Sequence, residues 1–177
     1  RYLSNEQKIF VASQKKVIAN EMVEAVQHLL YLEASPFFKA YLLKEAPAER
    51  LGEEWRLFAG KIRKYHHIRY MDVSGREIVR INFKDGRAEA VRESELQAKS
   101  EKKCFTEAIK LNKRMIYRSV FDLNVENGRI EEPLKPVIRF AMPVFGKEDE
   151  ISGVLVISYR GGIVIDGING LMRQTNY

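Results

Sequence analysis

Residues 68–82 read IRYMDVSGREIVRIN, and this stretch decides the fold. Apolar and β-branched residues run into Ser74-Gly75 and out again. Two strands, Ile68 to Val73 and Glu77 to Phe83, are therefore expected to pair across a tight turn. Lys84-Asp85-Gly86 ends the second strand. A further hairpin is written into residues 136–159, PVIRFAMPVFGKEDEISGVLVISY, with Val137 to Phe145 and Ile151 to Tyr159 joined through Gly146 to Glu150. Val154 to Ile157 is apolar at every position, which predicts a strand covered on both faces. Met115 to Phe121 reads as a third strand. Residues 125–136, with Asn127-Gly128 and two prolines, read as an exposed loop or long hairpin. Strands joined by hairpins make an antiparallel sheet.

Outward from the hairpins the period becomes helical. Residues 4–46 read as helix, opened by a capping box of Ser4 and Gln7. Val11, Ile18, Met22, Ala25, Leu29 and Leu32 follow at spacings of seven, four, three, four and three, a single apolar seam. That seam suits either packing on its own domain or pairing with a second copy, and one helix can do both over different lengths. Pro36 kinks or restarts the helix, and Phe37, Phe38, Tyr41, Leu42 and Leu43 pack its second part. Glu53 to Tyr65 is expected to be a short helix carrying Trp55, Phe58 and Ile62. Residues 87–98 look irregular. Residues 100–111 look helical, with Phe105, Ala108, Ile109 and Leu111 on the apolar side. The resulting expectation is an α+β, PAS-like fold: a five-stranded antiparallel sheet, a long N-terminal helix, and helices covering the faces. Residues 1–50 form a helical extension, 51–160 the sheet domain, and 161–177 an outgoing linker or short helix.

Composition removes several functions. The 30 basic and 24 acidic side chains are interleaved, so the net charge of +6 makes no basic cluster with interleaved aromatics, and nucleic acid is not an expected partner. Cys104 is the single cysteine, which rules out an intrachain disulfide and a zinc framework. No run approaches the roughly 20 apolar residues that cross a bilayer. There is no GxSxG, Walker loop or HExxH. His66 and His67 are adjacent on a strand and point to opposite faces, and His28 lies far away, so no metal site is expected. No catalytic residues and no cofactor are expected either.

Binding is better supplied. A pocket on a sheet face needs an apolar lining with a few convergent polar groups. Arg80 and Asn82 alternate against Val79, Ile81 and Phe83, and Arg139 against Ile138, Phe140 and Met142. Tyr70, Tyr117 and Tyr159 add aromatic bodies with polar tips. Arginine forks suit carboxylates. Asp122 is an available carboxylate.

Four segments carry a resemblance to a known family: IRYMDVSGREIVRIN, CFTEAIKL, IYRSVFDLNVENGRIEEP and PVIRFAMPVFGKEDEISGVLVISY. In their order and spacing over residues 66–160 the chain resembles the Cache (PDC) sensor domains of bacterial histidine kinases, diguanylate cyclases and chemoreceptors. The resemblance implies an extracytoplasmic module, periplasmic or extracellular, of an inner-membrane receptor. It implies flanking membrane segments, an N-terminal helix running from the membrane beside the sheet, and a homodimer through that helix. Many such relatives carry two lobes, and residues 161–177 stand where a second would begin. Amino-acid sensors of the family carry Arg, a spacer and two aromatics, with Ala three residues after the second. The matching positions here hold Lys102, Cys104, Phe105 and Ala108, so only Phe105 and Ala108 keep the pattern while Lys102 keeps the charge. Asp122 lies near where the family's amine-binding acid is sought. A small molecule such as a different organic anion, bound on the sheet face and shifting the helices, is the function implied. The candidate site is Tyr70, Arg80, Asn82, Lys102, Phe105, Tyr117, Asp122, Arg139 and Tyr159. A cytosolic PAS-type cofactor-binding or interaction domain is the alternative.

Overall fold

The structure is a computed structural model that describes residues 4–126 and 128–175. Helix α1, Asn5–Ala34, opens on the expected capping box: Gln7 N donates to Ser4 Oγ at 3.2 Å, and Ser4 N to Gln7 Oε1 at 2.9 Å. It stops at Ser35, whose extended backbone (φ −57°, ψ 137°) precedes Pro36. Pro36 is then the first residue of α2, Pro36–Leu42, and Ser35 Oγ accepts the Phe38 amide at 3.2 Å. Buried Ser35 also donates to Glu54 Oε2 at 2.8 Å, tying this corner to α3, Ala48–Ile62.

The strands are β1 Tyr65–Asp72, β2 Glu77–Lys84 and β3 Arg87–Ala90. After the short helix α4, Lys103–Ala108, come β4 Tyr117–Arg118, β5 Asp122–Leu123, β6 Val125–Glu126 and β7 Arg129–Ile130. Strands β8 Pro136–Phe145 and β9 Ile151–Arg160 follow, and α5, Gly162–Thr175, ends the described chain. The main sheet runs β3-β2-β1-β9-β8-β4, with β5 also on β8, and the pairings are antiparallel. This is the PAS-like arrangement, with the two hairpins meeting where β1 pairs β9. Gly75 closes the first hairpin at φ +80°, where a Cβ would lie 2.5 Å from Ser100 Cα. Gly153 lets β9 approach β1, since a Cβ there would lie 2.0 Å from the Met71 carbonyl oxygen.

Several elements differ from expectation. Residues 87–98 are not wholly irregular, because Asp85 (φ 50°) and Gly86 (φ 78°) form a turn that sends the chain back as β3. Of the expected strand Met115 to Phe121 only Tyr117–Arg118 forms, as β4, and β5 follows it, so the main sheet has seven strands among the described residues where five were expected. The 100–111 helix shortens to Lys103–Ala108, and α3 begins earlier, at Ala48. Of the Asn127-Gly128 turn, Asn127 lies outside the described residues, while Gly128 (φ 75°) joins β6 to β7.

The two faces of the sheet are buried unequally. On one, Ala25, Leu29 and Leu32 of α1, Phe38 of α2 and Trp55 of α3 pack on Ile68, Ile81, Phe140, Leu155 and Ile157. Each large apolar side chain buried there contributes about 1.5–3 kcal/mol. On the other, α4 seats Phe105 and Ala108 on Met71, Ala141, Val154 and Val156. Helix α5 returns along the N-terminal half of α1, with Gly167 against Val17. Among the described residues no helix is long and apolar enough to cross a membrane.

Candidate functional site

Register decides which side chains share the α4 face. Arg139 of β8 and His67 of β1 both pair with Ser158 of β9, and Arg69 pairs with Val156 and with Arg80. Directly paired residues point to the same side of a sheet. His67, Arg69, Arg80, Asn82, Arg139 and Ser158 therefore stand on the face opposite α1, α2 and α3. Between that face, α4 and the β4–β5 segment lies a cleft of about 510 Å³. Among its described lining residues Arg69, Lys99, Lys102, Lys103, Arg118 and Arg139 are basic, against the acidic Glu107 and Asp122.

Arg139 is held in place from several sides. Its Nη2 donates to Asn124 Oδ1 at 2.9 Å, and its backbone amide donates to Ser119 Oγ at 2.8 Å. Asn124, buried, donates through Nδ2 to Glu131 Oε2 at 2.8 Å and lies 3.5 Å from His67 Nε2. Lys135 pairs with Glu131 in turn. His67 Nδ1 is 3.0 Å from Asn82 Oδ1. This chain gives His67 one acceptor at Nδ1 and one donor at Nε2, the pattern of a neutral imidazole. Burial, with Arg69 next in effect, holds the His67 pKa well below its ordinary value. Burial also pushes His66 down to about 4, helped by Arg160 and Lys135. Beside these, Glu77 is a buried carboxylate: Oε1 lies 3.2 Å from Arg69 Nε, and Oε2 accepts from Arg80 Nη1 at 2.9 Å and the Gln97 amide at 3.0 Å.

At the mouth, burial raises the Cys104 thiol and the Tyr117 phenol above their ordinary values, so both stay protonated at neutral pH. Asp122 Oδ1 accepts the Leu123 amide at 2.7 Å. The cleft is thus rich in N–H donors and positive charge. Such a surface suits an anion, and none of the described lining residues is an activated nucleophile.

Of the residues singled out in the sequence, Lys102, Tyr117, Asp122 and Arg139 come together here. Phe105, 5% exposed, lies beneath α4 as part of its apolar seat. Arg80 and Asn82 share the face but are engaged by Glu77 and His67. Tyr70 and Tyr159 are not brought to the cleft. Tyr70 shares the parity of Ile68 and packs against Phe38 and Tyr41, its hydroxyl donating to the Ser152 carbonyl at 2.9 Å. It edges a separate hollow of about 530 Å³ in which Lys44 is the one basic side chain among the described lining residues. Tyr159 shares the parity of Ile157, and its hydroxyl donates to Glu21 Oε2 of α1 at 2.6 Å. Sequence reasoning missed Arg69, Lys99, Lys103, Arg118, Asn124 and Ser158. Arg69 was within reach, since it interrupts an apolar strand as Arg80 and Arg139 do.

Comparison with known proteins agrees with this architecture. No curated protein sequence matches the chain. A domain of a protein assigned to the sensory box/GGDEF family from Vibrio parahaemolyticus superposes with a TM-score of 0.73 and 26% identity over 85% of this chain. The extracellular domain of vpHK1S-Z8, assigned as a histidine kinase, gives 0.78 and 25% over 90%. The chain spans 57% and 58% of those two structures. The ligand-binding domain of the Campylobacter jejuni chemoreceptor Tlp3, in complex with 4-methylisoleucine, gives 0.67 over 91% of this chain and 60% of its own. At 12% identity that likeness shows the fold alone. The profile of the bacterial histidine kinase sensor domain matches residues 4–168, and the chain belongs to that family, whose members are sensory and not catalytic domains.

Proposed function

We propose that this domain senses a small organic anion bound in the α4-side cleft and reports it through α1 to flanking membrane segments of a receptor. The observation that carries the reading is the cleft's charge: six basic side chains against two acidic among the described lining residues. Arg139 is the anchoring fork, Lys102 stands at the rim, Tyr117 and Asp122 border the mouth, and Phe105 supports the α4 wall. Arg80 and Asn82 act behind them, through Glu77 and His67. The family match and the extracellular origin of one structural relative support a place outside the membrane. A small molecule bound in the Campylobacter relative supports a ligand of that size.

Homodimerisation through α1 belongs to the same proposal. Ile9, Val11 and Ile18 are exposed on its N-terminal half, 68%, 36% and 37% respectively, where the sheet no longer covers the seam. The test is a thermal-shift screen of carboxylates, amines and sugars against the chain and its Arg139→Ala variant. Carboxylates are expected to raise Tm in the parent chain and to lose that effect in the variant. Stabilisation by amines or sugars and by no carboxylate, or an unchanged response in Arg139→Ala, would sink the proposal.

A further inference from the structure

Five of the six basic side chains among the cleft's described lining residues, Lys99 apart, stand in two groups held by different elements, and we infer that its ligand carries two anionic groups, one for each. This rests on the anion-binding reading above and narrows it. The inner group stands on the sheet. Arg139 is half-buried on β8, and Arg69, 9% exposed and paired with Glu77, borders the same cleft from β1. The Arg139 partner seen here, Asn124 Oδ1 at 2.9 Å, is a neutral amide. It aims the guanidinium without cancelling its charge, and one N–H of the fork is used in doing so. The outer group is Lys102 and Lys103 at the start of α4, with Arg118 reaching the cleft from β4. Phe105 and Ala108 seat α4 on Ala141 and Val156, so the lysines are fixed at the rim while Arg139 lies on the floor.

The acidic side is different. Glu107 and Asp122 are both exposed, and Asp122 already accepts the Leu123 amide. Among the described lining residues no buried carboxylate faces the cleft to receive an ammonium group. A volume of about 510 Å³ accommodates a short chain with a negative group at each end. A short dicarboxylate and a phosphorylated hydroxy acid share that chemistry.

The test is calorimetric titration of the 177-residue chain at low ionic strength with succinate, butyrate, 3-phosphoglycerate and glycerate. At least one of the two-headed anions, succinate or 3-phosphoglycerate, is expected to bind about tenfold or more tighter than its one-headed counterpart, because each ionised partner adds a charge-assisted contact. Which of the two binds separates the carboxylate source from the phosphate source. Raising salt is expected to narrow the gap, since the rim lysines are the more exposed group. The double variant Lys102→Gln/Lys103→Gln is expected to bring the two-headed anion down close to its one-headed counterpart, whose own affinity falls by less. Arg139→Gln is expected to weaken both. Lys103 is exposed and Lys102 half-exposed, so their variant keeps the test valid if Arg139→Gln fails to fold. Equal affinity within both pairs, or a lysine variant that keeps the gap, overturns the two-group assignment and leaves the anion site standing. No binding by any of the four anions sinks both.

Discussion

At the residue scale the α4 face is governed by buried charge. Glu77 is fully buried between Arg69 and Arg80, so each arginine depends on it for neutralisation. Removing one member of a buried ionic group typically costs about 3–5 kcal/mol, because a charge is left uncompensated. Glu77→Ala is expected to lower the urea-unfolding free energy by about that amount; a loss below about 1 kcal/mol would show the arginines find water or another partner. His66 and His67 make the sheet acid-sensitive. Their folded-state pKa values lie below the ordinary 6.5, so between those values the unfolded chain binds more protons than the folded one. Stability is therefore present above about pH 6.5 and falls as pH drops through that value, toward about 4 for His66. Melting curves from pH 8 to pH 5 check this: His66→Gln and His67→Gln should each flatten the acid limb. Much of this face was legible from strand parity. Arg139 alternates cleanly against Ile138 and Phe140, but Val154–Ile157 is apolar on both sides, so parity alone could not say which face Tyr159 would take. The bulge that pairs Met71 with Glu77 put a buried carboxylate among arginines, and a bulge leaves no mark in a period of two.

At the element scale α1 is two helices in one. Its C-terminal half buries Ala25, Leu29 and Leu32 completely, while Val11 and Ile18 of the same seam stay exposed. The spacing revealed one stripe, but not where the sheet beneath it ends. That boundary is marked by a polar clasp. Lys64 reaches Glu21 at 3.0 Å and Glu24 at 2.6 Å, Tyr159 donates to Glu21, and His28 Nδ1 lies 2.6 Å from the Tyr65 hydroxyl. Burial works against ionised Glu21, yet the hydrogen bonds from Tyr159 and Lys64 outweigh it and leave its pKa lowered. These partners lie 40 or more residues apart from α1 in sequence, or 37 for His28 and Tyr65, so no local pattern announces them. Leu29→Ala is expected to cost about 2–5 kcal/mol as a buried cavity, and Ile18→Ala about 0.5 kcal/mol or less in the monomer. Chemical denaturation at low protein concentration measures both. A similar cost at the two positions would mean that the N-terminal half is buried in solution, as a homodimer through α1 requires.

At the scale of the whole molecule the cleft and α1 lie on opposite faces of one sheet, and β9 serves both. Ser158 stands on the cleft side, paired with His67 and Arg139, and its buried hydroxyl has no hydrogen-bond partner among the described residues. The next residue, Tyr159, holds Glu21 of α1. Adjacent strand residues cannot move independently, so a rotation of the backbone here alters both sides together. A ligand shifts α1 only by binding one arrangement of this strand better than another. Amide hydrogen exchange should then change in residues 15–28 of α1 when an anion saturates the cleft, although no ligand atom touches that helix. Tyr159→Phe removes the donor to Glu21 and leaves the cleft residues in place. It should raise exchange in the same segment without ligand and abolish the ligand-dependent change, while anion affinity moves less than about threefold. Unaltered exchange in α1 on saturation, with the expected protection of α4 and β8, would show that the signal leaves the sheet by a route other than this clasp.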